Sequence, residues 1–302
     1  MIPFSSAIRS MRLRTLPLSL AGVLLGTLLA AADYRIRPLT VLFLVLTTVC
    51  LQILSNLSNE LGDVLHGTDT DDRRGPKYSL NAGEMTIPQM KWLIGLAVVF
   101  CVGFGLAMIR TSFGRLFTMD GICLMMLGAA AISGAMKYTL GRNPYGYRGL
   151  GDLAVFVFFG LVAVLGAYFV TTHAVPAWPL FLPAAAIGFF SVGVLNVNNI
   201  RDMKTDAATR TTVALQLGLH RARIYQTVLI VLGWACLTAY CLLRFFDPWH
   251  YLFFLTLPLF VKHLQGVWTR EERALDPMLP LLVLSTFALA LLMGFGFVVF
   301  LL

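Results

Sequence analysis

The sequence predicts an all-α, polytopic membrane protein with about nine transmembrane helices, and three observations predict it. Of the 302 residues, 58% are hydrophobic and only 13% are charged, far from the balance of a soluble domain. Apolar runs near 20 residues, the length that crosses a bilayer as a helix, recur along the whole chain. Basic residues gather on alternate connections between those runs, as they do in proteins held in one orientation in a membrane.

Taken in order, residues 1–16 carry Arg9, Arg12 and Arg14. The spans are expected at about 17–32, 39–57, 92–109, 117–136, 152–171, 179–198, 224–243, 249–264 and 277–302, all within one domain of residues 1–302. The run at 249–264 is the shortest and contains Pro258. The basic start, the short first run and Ala30-Ala31-Ala32 also describe a secretory signal. The many spans that follow, and the charge pattern, favour keeping the first one.

With the N-terminus inside, eighteen of the 23 Lys and Arg fall on inside segments. The other five, Arg35, Arg37, Arg110, Arg115 and Arg244, fall outside. The expected topology is therefore N-terminus cytoplasmic and C-terminus outside, in the cell's inner (plasma) membrane. The net charge of +8 would suggest nucleic acid in a soluble protein. Here it marks cytoplasmic loops, and no nucleic-acid partner is expected. The five cysteines all lie in apolar runs without metal-ligand spacing and read as packing residues.

Two polar clusters stand out. Asn59, Asp63 and Asp69 follow the second span, and Asn198, Asn199, Arg201, Asp202 and Asp206 follow the sixth. Both contain Asn-x-x-x-Asp, and residues four apart share one face of a helix. Each cluster can present a row of oxygens from the end of a span, and both are expected on the cytoplasmic side. Facing rows of oxygens suit a hard cation, and magnesium is usually held by few carboxylates plus substrate phosphates. Asp69-x-Asp71 lacks the Glu that a calcium loop requires. Lys204 and Arg210 beside the second cluster suit a diphosphate, with bases meeting the charge of a leaving group. The even number of spans between the clusters hints at a duplicated four-helix unit in parallel orientation.

The connection between spans 4 and 5 holds Lys137, Tyr138, Arg142, Tyr145, Tyr147, Arg148 and Asp152 around Pro144 and several glycines. Glycine and proline make it a turn. Its tyrosines and bases fit an interfacial belt. They equally fit a wall for an aromatic acceptor, with tyrosine faces stabilising a cation and bases holding an anion. The five histidines are scattered and receive no role. A transporter would gather its polar residues near the midplane, whereas here they gather at one face.

At these motifs the chain closely resembles the UbiA superfamily of intramembrane prenyltransferases, along nearly its whole length. The resemblance is carried by Arg14-Thr15-Leu16-Pro17, by Asn59-x-x-Gly62-Asp63-x-x-x-Gly67-x-Asp69 with Asp72-Arg73-x-Gly75-Pro76, and by Tyr138-Thr139. Pro144-Tyr145-Gly146-Tyr147-x-Gly149-Leu150-Gly151-Asp152 and Asn196-Val197-Asn198-Asn199-x-Arg201-Asp202-x-x-x-Asp206 point to its naphthoate-prenylating branch. Two positions depart from the family pattern: Glu60 stands where Asp is usual, and Thr209-Arg210 replaces a common Gly-Lys.

The resemblance implies a ring of nine helices around a central cavity, with the acidic motifs meeting at its mouth. It implies Mg2+ held by Asn59, Asp63, Asp69, Asn198, Asp202 and Asp206. Asn59, Arg73, Tyr145, Tyr147, Arg148, Asp152, Asn198, Asn199, Arg201 and Arg210 would bind substrate, and Asp63, Asp202, Asp206, Lys137 and Tyr138 would serve catalysis. The implied substrates are an all-trans polyprenyl diphosphate and 1,4-dihydroxy-2-naphthoate, joined with loss of carbon dioxide and diphosphate. An acceptor such as 4-hydroxybenzoate is the alternative within the same superfamily.

Overall fold

The computed structural model describes residues 4–67, 78–244 and 247–299. The expected site residues Asp69 and Arg73 lie outside the described residues. Among those described there is no strand, only one isolated bridge between Arg148 and Thr211. The helices are α1 (Phe4–Met11), α2 (Leu16–Asp33), α3 (Pro38–Leu65), α4 (Ile87–Phe113), α5 (Met119–Lys137), α6 (Gly151–Thr172), α7 (Phe181–Arg201), α8 (Val213–Leu243), α9 (Leu257–Thr269) and α10 (Met278–Val298).

Eight segments, built on α2–α8 and α10, are long and apolar enough to cross a bilayer. The eighth expected span, at 249–264, is not one long α-helix. Residues Pro248–Thr256 form a 3-10 stretch that continues into α9, with Pro258 in its first turn. Proline lacks an N–H and disfavours helical geometry in the residue before it, so it starts helices more readily than it continues them. The segment still runs beside α10 along that helix's length. Trp249 packs against Gly296, and His263 donates from Nδ1 to the Met278 carbonyl (3.0 Å).

The helices that carry the motifs differ in how they end. Helix α3 continues eight residues past the expected end at 57, so Asn59 and Asp63 sit within the helix itself. The second cluster does not stay on one helical face. Helix α7 stops at Arg201, Asp202 leaves helical geometry (φ −94°, ψ 8°), and a separate turn, Met203–Asp206, follows.

Helix α2 contacts α3, α6, α7 and α10. The close approach to α6 needs Gly26, where a Cβ would collide with the Val164 carbonyl; small residues let helices meet closely inside a membrane. The main apolar core joins α2, α6, α7, α8, α9 and α10 through side chains such as Leu25, Ile187, Phe190, Leu237, Phe260 and Leu289. A polar chain crosses this core. Asn196 donates to Gln226 (2.9 Å), and Gln226 donates to His263 Nε2 (3.0 Å), whose Nδ1–H is held by Met278. It ties α7, α8, α9 and α10 together, with partners for groups that lipid could not satisfy. At the end of the bundle away from the acidic motifs, Arg244 grips Asp33 with two bonds of 2.7 and 2.9 Å.

Helices α3 and α7, which carry the motifs, each pack most extensively on the helix that follows, α4 and α8. Helix α5 buries only Gly121, so most of its surface faces lipid or the interior cavity. Helix α6 widens into a π-helical stretch over Phe156–Val162, a geometry frequent at functional sites.

Candidate active site

Two compartments lie inside the bundle, one above the other. The polar one, about 120 Å³, lies among α3, α7, the start of α6 and the connections at the motif end of the bundle. It is lined by Asn59, Asp63, Tyr138, Asp152, Asn198, Asn199, Arg210 and Arg12, with Thr139 and Thr212. The apolar one, about 350 Å³, extends along α3, α5 and α6, past Leu51, Leu127, Phe158 and Val162 to Leu44, Met108 and Val170. Asn59, Tyr138 and Leu195 line both, so they form the seam between a polar vestibule and an apolar chamber.

The vestibule wall from α3 is set by one glycine. At Gly62 any Cβ would run into Thr139, whose hydroxyl donates to the Ser58 carbonyl (2.9 Å) and to Asn59 Oδ1 (3.3 Å). This contact brings the connection after α5 onto the first motif. The same connection is joined to the second motif by the backbone, where Thr211 N–H donates to the Tyr147 carbonyl (2.9 Å). Tyr147 then bridges both sides: its hydroxyl donates to Asp63 Oδ1 (2.7 Å), and the Arg210 guanidinium lies 5.5 Å from its ring centre. Asp152 accepts from the Tyr225 hydroxyl (3.0 Å).

The second cluster is already charge-balanced. Arg201 clamps Asp202 through Nε (2.8 Å) and Nη2 (2.6 Å), and also reaches Asn198 Oδ1 (2.8 Å) and Asp276 (2.9 Å). Arg201 and Asp202 are both buried. Asp206 pairs with Arg210 at 3.0 Å. Neither Asp202 nor Asp206 lines the vestibule, whereas Asn198, Asn199 and Arg210 do.

Tyr138 and Tyr145 meet edge to face at 5.4 Å, and the Tyr145 hydroxyl donates to the Gly134 carbonyl (2.8 Å). Burial pushes the Tyr138 hydroxyl well above its ordinary pKa, with Arg210 opposing the shift in part. Burial raises Tyr145 as well. Both rings are therefore neutral at physiological pH and present π faces and O–H donors, not phenolate bases. Lys137 and Arg148 are exposed and line neither compartment.

Two participants escaped the sequence reading. Arg12, there only a topological charge, lines the vestibule from a left-handed backbone (φ 50°, ψ 51°). Its Nε and Nη2 are buried without a hydrogen-bond partner. Glu60, the departure noted in the first motif, is fully buried and does not line the vestibule; it accepts from the Leu80 N–H (2.8 Å). The available signal for Glu60 was its position one residue after Asn59, which turns it about 100° away on a helix.

Among the described residues no three His, Cys, Asp or Glu side chains converge as a ready-made metal cage. Asp63 with the amide oxygens of Asn59, Asn198 and Asn199 nonetheless forms a hard, oxygen-rich donor set. It fits a magnesium ion that takes its remaining ligands from phosphate. The buried, unpartnered N–H groups of Arg12 and the Nε of Arg210 fit the same anion, since arginine is matched to phosphate oxygens.

A polar, cation-fitted vestibule opening onto an apolar chamber within a helical membrane bundle defines an intramembrane enzyme that handles amphiphilic substrates. The UbiA prenyltransferase family model matches residues 19–287, and the chain belongs to that family. It is 38% identical over 275 residues to the 1,4-dihydroxy-2-naphthoate octaprenyltransferase of Escherichia coli (strain K12), covering 90% of this chain and 88% of that one. The enzyme of the same description from Haemophilus influenzae is 36% identical, with 94% of each chain covered. Among solved structures, a UbiA homolog from Aeropyrum pernix K1 superposes with a TM-score of 0.68 at 15% identity over 100% of both chains. A homolog from Archaeoglobus fulgidus bound to GPP and Mg2+ gives 0.61 at 15% identity, covering 98% of this chain and 100% of that one. At that identity the likeness establishes the fold.

Proposed function

We propose that the protein transfers a polyprenyl group from an all-trans polyprenyl diphosphate to 1,4-dihydroxy-2-naphthoate, with loss of carbon dioxide and diphosphate, building the demethylmenaquinone skeleton. The observation that carries this reading is the seam: one polar vestibule fitted for a metal diphosphate opens through Asn59, Tyr138 and Leu195 into a chamber fitted for a prenyl tail. The naphthoate acceptor is supported by the relatives described as 1,4-dihydroxy-2-naphthoate octaprenyltransferases.

Bound Mg2+, held by Asp63 with Asn59 and Asn198, would stabilise charge on the leaving diphosphate. Arg12 and Arg210 orient the diphosphate and meet the charge that grows on it as the C–O bond breaks. The bond's electron pair leaves with the diphosphate, and the allylic carbon becomes electrophilic. The neutral ring faces of Tyr138 and Tyr145 line that position and stabilise positive charge without trapping it covalently. The apolar wall at Phe158, Phe159 and Val162 excludes water, which would otherwise capture the cation. The naphthoate ring attacks at its carboxyl-bearing carbon, and decarboxylation restores aromaticity. The charge bias of the connections supports a vestibule on the cytoplasmic side.

The test is a prenyl-transfer assay on purified protein in nanodiscs, with Mg2+, a polyprenyl diphosphate and either 1,4-dihydroxy-2-naphthoate or 4-hydroxybenzoate. A decarboxylated prenyl naphthalenediol or its quinone, lost on adding EDTA and regained with Mg2+, is the expected result. Product from 4-hydroxybenzoate alone overturns the acceptor assignment. No product from either, with folded protein, overturns the reading.

A further inference from the structure

Arg12 enters the vestibule under unusual constraint. A left-handed backbone is uncommon for a residue with a side chain, and strained residues of this kind persist where their surroundings hold them in place. The surroundings are on view. Helix α1, just before Arg12, is fastened to the segment that precedes α4. Glu84 receives Ser6 Oγ (2.9 Å) and Arg9 Nη1 (2.6 Å), and Ser79 Oγ donates to the Ser6 carbonyl (2.6 Å). Below this fastening, Tyr78 supports Arg12 directly. The Arg12 guanidinium lies 3.7 Å from the Tyr78 ring centre, and Arg14 donates to the Tyr78 hydroxyl (2.8 Å). Glu60 anchors the same segment from helix α3 through the Leu80 N–H. From the other side, Asn56 Nδ2 donates to the Met11 carbonyl (2.9 Å) and to Thr15 Oγ1 (2.9 Å), fixing the chain on both flanks of Arg12.

We propose that α1 and the Tyr78–Glu84 segment form a clasp that positions Arg12 for the diphosphate, with Glu84 and Glu60 as its positioning residues. The inference rests on the reading of the vestibule as the diphosphate site, and goes beyond it by assigning work to residues that touch no substrate. It also explains Glu60 in this chain. The side chain turns away from the vestibule into a buried socket, where it holds a backbone N–H of the clasp. Two sides of the clasp act on one group: Tyr78 supports the guanidinium face, and the left-handed turn directs the unpartnered N–H groups toward the vestibule.

The test is steady-state kinetics with the polyprenyl diphosphate varied, on wild type, Arg12→Ala, Glu84→Ala, Glu84→Asp and the Arg12→Ala/Glu84→Ala double variant, in nanodiscs. Arg12→Ala is expected to raise the donor KM about tenfold or more, as loss of a charged contact does. Glu84→Ala is expected to raise it about threefold to fivefold, leaving kcat and the acceptor KM within about twofold; Glu84→Asp is expected to recover most of the loss. In the double variant the Glu84 change adds nothing further, because it acts through a group already removed. An equal Glu84 effect with and without Arg12, or a Glu84 effect on kcat and both KM values alike, overturns the clasp. The same two outcomes decide the matter if Glu84→Ala also lowers the melting temperature. An unchanged donor KM in Arg12→Ala overturns the underlying placement of the diphosphate, a result distinct from failure of the clasp.

Discussion

The two acidic motifs share the spacing Asn-x-x-x-Asp and differ in what the fold does with it. In the first, α3 runs on through Leu65, so Asn59 and Asp63 remain on one face and both line the vestibule. Asp63 is shaped by a neutral hydroxyl, that of Tyr147 at 2.7 Å. In the second, the helix ends at Arg201, and the arginine folds onto its own neighbour, Asp202, while Arg210 takes Asp206. Only the amides and Arg210 of the second motif line the vestibule. The same spacing thus puts a carboxylate in the vestibule lining on one side and an arginine-paired carboxylate outside that lining on the other.

This contrast can be broken by substitution, and the largest effect is expected at Asp63. Asp63→Asn is expected to lower kcat/KM by about 10²–10³-fold or more, the scale of removing one dominant electrostatic contact, with little change in melting temperature. Wild-type activity in that variant would remove Asp63 from the metal site. Asp202→Asn is expected to reduce activity and stability together. It leaves the buried Arg201 partly uncompensated, and breaking a buried ion pair costs about 3–5 kcal/mol. Asp276 and Asn198 still hold the arginine, so the lower end of that range is expected, read as a lowered melting temperature. A stable, inactive Asp202→Asn protein would instead make both motifs equal partners in metal binding. Tyr147→Phe sharpens the comparison with the smallest change. It removes a hydrogen bond to a charged acceptor, worth about 1.5–3 kcal/mol, from Asp63 of the first motif. The expected result is a changed Mg2+ requirement with an intact fold, measured by titrating activity with Mg2+.

Much of this was legible in the sequence for simple reasons. The spans announce themselves because lipid demands continuous apolar length. Asn59 and Asp63 were legible because helical periodicity carries straight through them. Asp202 was read as a ligand because its spacing matches that of Asp63. Its capture by Arg201 depends on where α7 ends, and nothing in the spacing encodes that end. Arg12 was hidden among basic residues that also satisfy a topology rule. Its role depends on a left-handed turn and on Tyr78, sixty-six positions later. The split eighth span was foreshadowed by its short run and by Pro258, which interrupt what an unbroken helix needs.

The seam at Asn59, Tyr138 and Leu195 has a consequence for what happens after the chemistry. On the proposed reaction, two reactants give a prenylated ring and a diphosphate of opposite solubility at a single doorway, with carbon dioxide released besides. The diphosphate, left on the polar side, is drawn back toward water. The prenylated ring has lost its carboxylate, and with it the group that tied the acceptor to the vestibule, so it belongs to the oily side. Bond breaking at this wall therefore also sorts the products by phase. The route back is closed less by any moving part than by the absence, in either phase, of both partners needed for reversal.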